Sequence, residues 1–185
     1  NINEWTKSLL LDTRLIIEPN IIGSIIGIQY IQGRLNKAIN KNSIDITSKV
    51  KLLKSIPNKI PLKKTIEIQG VLYYEIEQTN KNRILKLSKV PTELREPRFC
   101  ASQIFHCQIN HFDALQELKK LNFEIPENEF TKFLTDIELY LQFWKEGKLF
   151  KKYPTNGIVV KINSNKLQKY LGENNLSIHW AYEIN

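Results

Sequence analysis

Between Leu15 and Tyr30 the sequence reads LIIEPNIIGSIIGIQY, two aliphatic runs separated by Glu18-Pro19-Asn20-Ile21-Ile22-Gly23. β-branched side chains crowd a helix but fit a pleated strand. Leu15–Glu18 and Ser24–Tyr30 are therefore expected as strands. Gly33 marks a hairpin turn into a third strand, Leu35–Ile39. Strands that arrive in hairpins indicate antiparallel sheet. The break itself raises a question, because a charge and a proline stand where one strand should be ending, with little reactive chemistry between them.

The remaining segments extend this pattern. Residues 2–11 fit a short helix carrying Trp5, Leu9 and Leu10. Ser48–Lys54 fits a one- to two-turn helix capped by Asp45 or Thr47 and ended by Pro57 and Pro61. Thr65–Glu77 alternates as a long strand, with Gly70 a bulge or close-approach point. Asn80–Phe99 is polar and irregular. SQIFHCQIN (102–110) reads as another strand. Asp113–Leu121 and Asp136–Lys148 have helical spacing, the second with Thr135 as N-cap. TNGIVVKIN is a turn and strand, Ser164–Leu171 a short helix closed by Gly172, and LSIHWAYEI a last strand. Hairpins with helices inserted between them indicate an α+β domain, with 1–14 a helical lead-in and 15–185 the domain.

Composition bounds the setting. No apolar run reaches the roughly 18 residues that span a bilayer, and the amino terminus lacks a signal peptide's basic region and cleavage site. Two cysteines make no disulfide framework. A soluble cytoplasmic protein with no membrane partner is the expectation. The net charge of +8 favours a polyanion such as nucleic acid, with a solvated lysine surface as the alternative. Of the clusters KKLN, PLKKT and KLFKKYP, the last is the best phosphate-tracking candidate, through Lys148, Lys151 and Lys152.

Cys100, His106, Cys107 and His111 crowd together, but their spacing is not that of a zinc site. Strand alternation would put His106 and Cys107 on opposite faces. Core cysteines and incidental histidines are expected, and no metal ligand set is assigned. Tyr140, Phe143 and Trp144 lie at helical spacing and are expected in the core.

Several motifs occur in an order that resembles the adenylation (nucleotidyltransferase) domain of bacterial NAD-dependent DNA ligases. That family's Glu-x-Lys-x-Asp-Gly is Glu18-Pro19-Asn20-Ile21-Ile22-Gly23 here. Its glycine hairpin with a basic residue beyond corresponds to Gly33 and Lys37. DITSKVKLLKSIP matches an Asp-Ile-Thr-x-x-Val segment leading to Ser-Ile-Pro. EIQGV stands for Glu-Val-Arg-Gly-Glu, and EPRFCAS, with Arg98, for Asn-Pro-Arg-Asn-Ala-Ala. NGIVVKIN stands for Asp-Gly-Val-Val-Ile-Lys-Val, followed by LQKYLG. HWAYEI resembles Arg-Trp-Ala-Ile-Ala-Tyr-Lys. The resemblance runs from about Leu15 to the end. It implies antiparallel sheets with flanking helices around a central nucleotide-sized cleft.

The family reaction needs a lysine amine to attack the α-phosphate of NAD, with carboxylate-held Mg²⁺ assisting. At the matching positions this chain has Asn20 for the lysine, and Ile22, Val71 and Asn156 for acidic residues. Gln69 replaces an arginine, and the terminal lysine falls near Glu183. A carboxamide is no nucleophile, and aliphatics hold no metal. What the resemblance leaves is a vestigial adenine-nucleotide pocket of Glu18, Lys37, Arg98 and Lys161, with residual NAD or AMP binding open. Equally open are a Glu18–Lys161 ion pair left by the scaffold and an Arg98 salt bridge to Glu96 or Glu93.

The leading expectation is a ligase-derived pseudoenzyme that binds nucleic acid (nicked or duplex DNA, in replication or repair) or a protein partner. One alternative is an active NAD-dependent ligase or nucleotidyltransferase using a relocated lysine, Lys161 or Lys37. Another is a structural or regulatory module whose cleft is plugged by Ile22 and Val71.

Overall fold

The computed structural model describes residues 2–7, 9, 13–75, 96–172 and 179–185. Two four-stranded antiparallel sheets organise them. The first combines β6 (Glu129–Thr131), β1 (Leu15–Ile21), β7 (Thr155–Ile162) and β8 (Ala181–Ile184), in that order. The second combines β3 (Arg34–Asn40), β2 (Ser24–Ile31), β4 (Ile66–Tyr73) and β5 (Arg98–Ile104). Helices α1 (Ile2–Lys7), α2 (Thr47–Val50), α3 (His111–Lys120), α4 (Leu134–Lys145) and α5 (Asn165–Leu171) flank them.

β1 and β2 are consecutive but belong to different sheets. The link is only Ile22-Gly23, with the Ile22 N–H donating to the Pro154 carbonyl at 2.7 Å. The break therefore lies at the junction of the sheets, and β1 continues through Pro19 and Asn20 rather than stopping at Glu18. It does so with a register shift against β7 between Pro19 and Ile21, which removes the need for a ladder donor at the proline.

Each sheet has its own core. Ile26, Ile28, Tyr30, Ile66, Ile68, Phe99 and Ala101 pack with Leu115 and Leu118 of α3. Leu15, Ile17, Ile158, Val160 and Ile162 pack with Ile137 of α4, joined by Tyr73, Cys100, Tyr153 and Trp180. Trp144 and Tyr140 pack against this second core. Trp5 of α1 does the same, donating to the His179 carbonyl at 2.9 Å. The ring of Tyr73, on the second sheet, meets that of Tyr153, just before β7, at 5.6 Å.

The strand and helix expectations need local correction. The strand read at 102–110 lies at 98–104, because Phe105 and His106 turn the chain, His106 with φ 55°. His106 and Cys107 thus do not alternate on a strand. The helix read at 48–54 is one turn, with the Asp45 carboxylate accepting from the Thr47 N–H at 2.8 Å. The helix read at 136–148 starts earlier, at Leu134 after Phe133, and ends at Lys145. The short edge strand β6 carries no period of its own and was not legible. Gly70 is the close-approach point its place in the strand suggested: an added Cβ would lie 2.4 Å from the Cys100 carbonyl oxygen, beside a register shift. Ser164 caps α5 by accepting from the Leu167 N–H, and Gly172 ends it at φ 71°. The polar stretch from 76 to 95 and the opening of the last strand lie outside the described residues. No described helix is long and apolar enough to cross a membrane.

Candidate functional site

Register places the site on one face of the first sheet. Lys161 of β7 pairs with Ile16, and Val159 pairs with Glu18 on one side and Glu183 of β8 on the other. Directly paired residues share a face, so Glu18, Lys161 and Glu183 point the same way. Lys161 Nζ donates to Glu18 Oε2 at 2.6 Å. The first residue of α3, His111, brings its Nε2 within 2.5 Å of Glu18 Oε1. The His111 ring lies 6.5 Å from that of Trp180.

This triad is buried. The side chains of Glu18 and His111 are 3% and 4% exposed, and that of Lys161 is 12% exposed. Burial alone would raise the Glu18 pKa. The attraction of Lys161 and His111, with the hydrogen bonds from both, outweighs it and lowers the carboxyl from 4.5 to about 2. Both Glu18 oxygens are engaged, one with His111 and one with Lys161, which leaves each with only part of its acceptor capacity. The ion pair considered from the sequence is thus present, and its third member is His111. That residue was read as incidental because it stands 93 positions away, and no local pattern links it to Glu18.

Around the break the matching positions converge. Asn20 Nδ2 approaches Glu183 Oε2 at 3.3 Å and Asn185 Oδ1 at 3.5 Å. Asn156 lies on β7 in the irregular stretch opposite Asn20 and is exposed. Ile22 is 45% exposed at the turn. Val71 is half-buried and packs toward the second core, its Cγ1 2.6 Å from where a Gly23 Cβ would sit. Among the described residues, no three of His, Cys, Asp and Glu are grouped to hold a metal ion.

The other candidates lie apart from the triad. Arg98 pairs with Glu75 and, at 2.8 Å, with Glu124. Glu96 instead meets Lys54, while Glu93 is outside the described residues. Glu124 also accepts from the Tyr73 hydroxyl at 2.7 Å and approaches Lys152 at 3.5 Å. Arg98 therefore belongs to a charged cluster at the end of β4 and β5 that Glu124 centres. Lys148 pairs with Glu146 at 2.6 Å, and Lys151 is exposed. Lys37 is exposed at the rim of a hollow on the second sheet lined by Gly27, Gln29, Ile39, Glu67 and Phe105. Cys100 is buried, which pushes its thiol pKa up, against a nucleophilic role.

Known proteins bear on this geometry. No family model matches the chain. The chain is 27% identical to a DNA ligase of Fervidobacterium nodosum over 98% of its own length and 31% of that protein. It is 32% identical to a DNA ligase of Petrotoga mobilis over 89% of its length and 29% of that protein. It spans about 30% of the curated relatives it matches. A putative ATP-dependent DNA ligase from Aquifex aeolicus superposes with a TM-score of 0.56 at 14% identity, over 89% of this chain and 44% of that one. The ligase domain of LigD from M. tuberculosis superposes with a TM-score of 0.53 at 12% identity, over 82% and 48%. The fold is that of the DNA ligase nucleotidyltransferase domain, and the resemblance to DNA ligases holds along most of the chain.

Proposed function

We propose that this ligase-like nucleotidyltransferase domain has lost covalent catalysis and acts as a nucleic-acid-binding pseudoenzyme. The observation that carries the reading is Asn20. It stands where the resemblance puts the nucleophilic lysine, and its carboxamide contacts Glu183 and Asn185. An amide nitrogen delocalised into its carbonyl cannot attack a phosphorus atom. The positions matched to acidic residues hold Ile22, Val71 and Asn156, which supply no charge to bind Mg²⁺.

A relocated lysine is the weaker reading. Lys161 Nζ is held at 2.6 Å by the buried Glu18 carboxylate, which ties it into the ion pair rather than leaving it to meet a phosphate. Lys37 lies on the second sheet, away from the Glu18 triad. For NAD or AMP, Glu18 offers only the acceptor capacity left over from Lys161 and His111, so residual affinity is weak. Nucleic acid as the partner rests on the net charge and on the names of the relatives, and a solved neighbour is described as a minimal-scaffold DNA-binding ligase.

Incubation with NAD or ATP and Mg²⁺, followed by intact-mass measurement, tests the loss of catalysis. No mass change is expected. A gain of one AMP on any lysine overturns it.

A further inference from the structure

The net charge of this chain is not spread over its surface. Residues 34–64 hold nine of the 27 cationic side chains and one of the 19 carboxylates, Asp45, so this stretch alone carries the full +8. The remaining residues balance at 18 against 18.

The structure makes one surface of that stretch. β3 leads through a turn in which Asn40 Oδ1 accepts from Asn42 and Ile44 N–H groups. After α2, the chain returns alongside β3, where Arg34 bridges to Lys59 and the Leu35 N–H donates to the Asn58 carbonyl. Ile46, Val50, Leu53, Ile56, Ile60 and Leu62 turn inward onto the core of the second sheet. Arg34 and all eight lysines of the stretch are exposed. Among the described residues, Lys54 alone of these cations has a carboxylate within 4 Å, Glu96 at 3.6 Å. By contrast, Lys148 and Lys152 of the KLFKKYP cluster pair with glutamates.

We infer that this β3–α2 wrap is a docking surface for the phosphate backbone of duplex nucleic acid, separate from the Glu18–His111–Lys161 site on the other sheet. The inference rests on the nucleic-acid part of the function proposed above and gives it a location. Concentrated like charge destabilises a fold unless a counter-charge accompanies it, and a polyphosphate is the most concentrated one available. Eight of the nine cations are lysines, point charges suited to tracking phosphates rather than reading base edges bidentately. The stretch holds no Phe, Tyr or Trp, so it lacks the stacking platforms that single strands require. A lipid surface fits less well, because α2 has only four residues and, of the large apolar side chains of the wrap, Ile44 and Leu52 alone are exposed, too few for the continuous apolar face of an interfacial helix.

The test is binding of a labelled, blunt, mixed-sequence DNA duplex, read by fluorescence anisotropy across a salt series. The variant replaces Lys49, Lys51, Lys59, Lys63 and Lys64 with Gln. All are exposed, and a melting curve checks that each variant folds. If these five reach phosphates, the slope of log affinity against log salt becomes shallower by about 4, and affinity at moderate salt falls more than about tenfold. The same five positions changed to Arg retain binding. Lys145, Lys166 and Lys169 changed to Gln serve as a net-charge control and leave the slope unchanged.

Equal binding by the Gln variant and the unaltered chain overturns the inference and leaves the nucleic-acid reading standing. Equal loss in the control also overturns it, because net charge alone would then suffice. So does wrap-dependent binding to phosphatidylserine vesicles without duplex binding, or competition by polyglutamate as effective as by duplex. No salt-sensitive duplex binding by the unaltered chain removes both this inference and the nucleic-acid part of the proposed function.

Discussion

Lys161 Nζ lies 2.6 Å from Glu18 Oε2 in a site where Glu18 is 2% exposed, and the pair is diagonal across the β1–β7 ladder. A buried ion pair contributes little relative to a well-packed apolar pair, but removing one partner strands the other. Lys161→Met leaves the Glu18 carboxylate with His111 alone. The expected loss is about 3–5 kcal/mol, read from urea unfolding. Glu18→Gln with Lys161→Met leaves no buried charge uncompensated, and its loss is smaller than that of Lys161→Met alone. A double-variant loss equal to the sum of the two single-variant losses would mean the pair is not coupled.

The same carboxylate sets an acid limit. Its pKa is lowered on folding, from 4.5 to about 2. A depressed folded-state value means the unfolded state binds the proton more readily, so stability falls as pH falls. The contribution is fully present above 4.5 and is lost as pH drops toward 2. In Glu18→Gln this component disappears. The difference in urea midpoint between the two proteins should therefore shrink across that window. A constant difference would show that Glu18 titrates normally in the folded chain.

Gly70 offers a packing test. A Cβ there would lie 2.4 Å from the Cys100 carbonyl oxygen and 2.5 Å from Phe99 Cζ. Backbone cannot yield as a flexible side chain can, and overpacking of this kind costs about 1–3 kcal/mol. Gly70→Ala should lower the unfolding midpoint accordingly, whereas alanine at Gly147 meets no atom within 4 Å and has only its positive φ to oppose it.

How far the sequence revealed these features depends on their range. The strands β1, β2 and β3, the β2–β3 hairpin at Gly33 and the Gly172 stop were legible because alternation, turn and helix-end residues are local signals. The two-sheet division was not derivable from periodicity, because nothing in Ile22-Gly23 states that the chain changes sheets there. Glu18 and Lys161 were paired as candidates through motif order alone. His111 was missed because only α3 packing brings it to Glu18. The KLFKKYP lysines stood out as a run, yet the structure neutralises two of them with glutamates distant in sequence or just beside them. The more basic 34–64 stretch was overlooked because its cations are spaced out, and what gathers them is a three-dimensional wrap rather than a run.

Restoring a lysine tests what the break has lost. In Asn20→Lys the new ammonium would lie near Glu183, whose Oε2 is 3.3 Å from the Asn20 amide nitrogen. A neighbouring carboxylate stabilises the protonated amine and raises its pKa, the opposite of what a nucleophile at phosphorus requires. Ile22, Val71 and Asn156 still bring no charge to hold Mg²⁺. The variant is therefore expected to remain unadenylated with NAD or ATP, by intact mass. Its stability should change by less than about 1 kcal/mol, as for other exposed ion pairs. Adding Glu183→Lys removes the carboxylate and should lower the amine pKa, readable by the pH dependence of its labelling by an acylating reagent. An AMP adduct on Asn20→Lys alone would show that a single residue separates this scaffold from catalysis, and that the three matched acidic positions are dispensable for the first step.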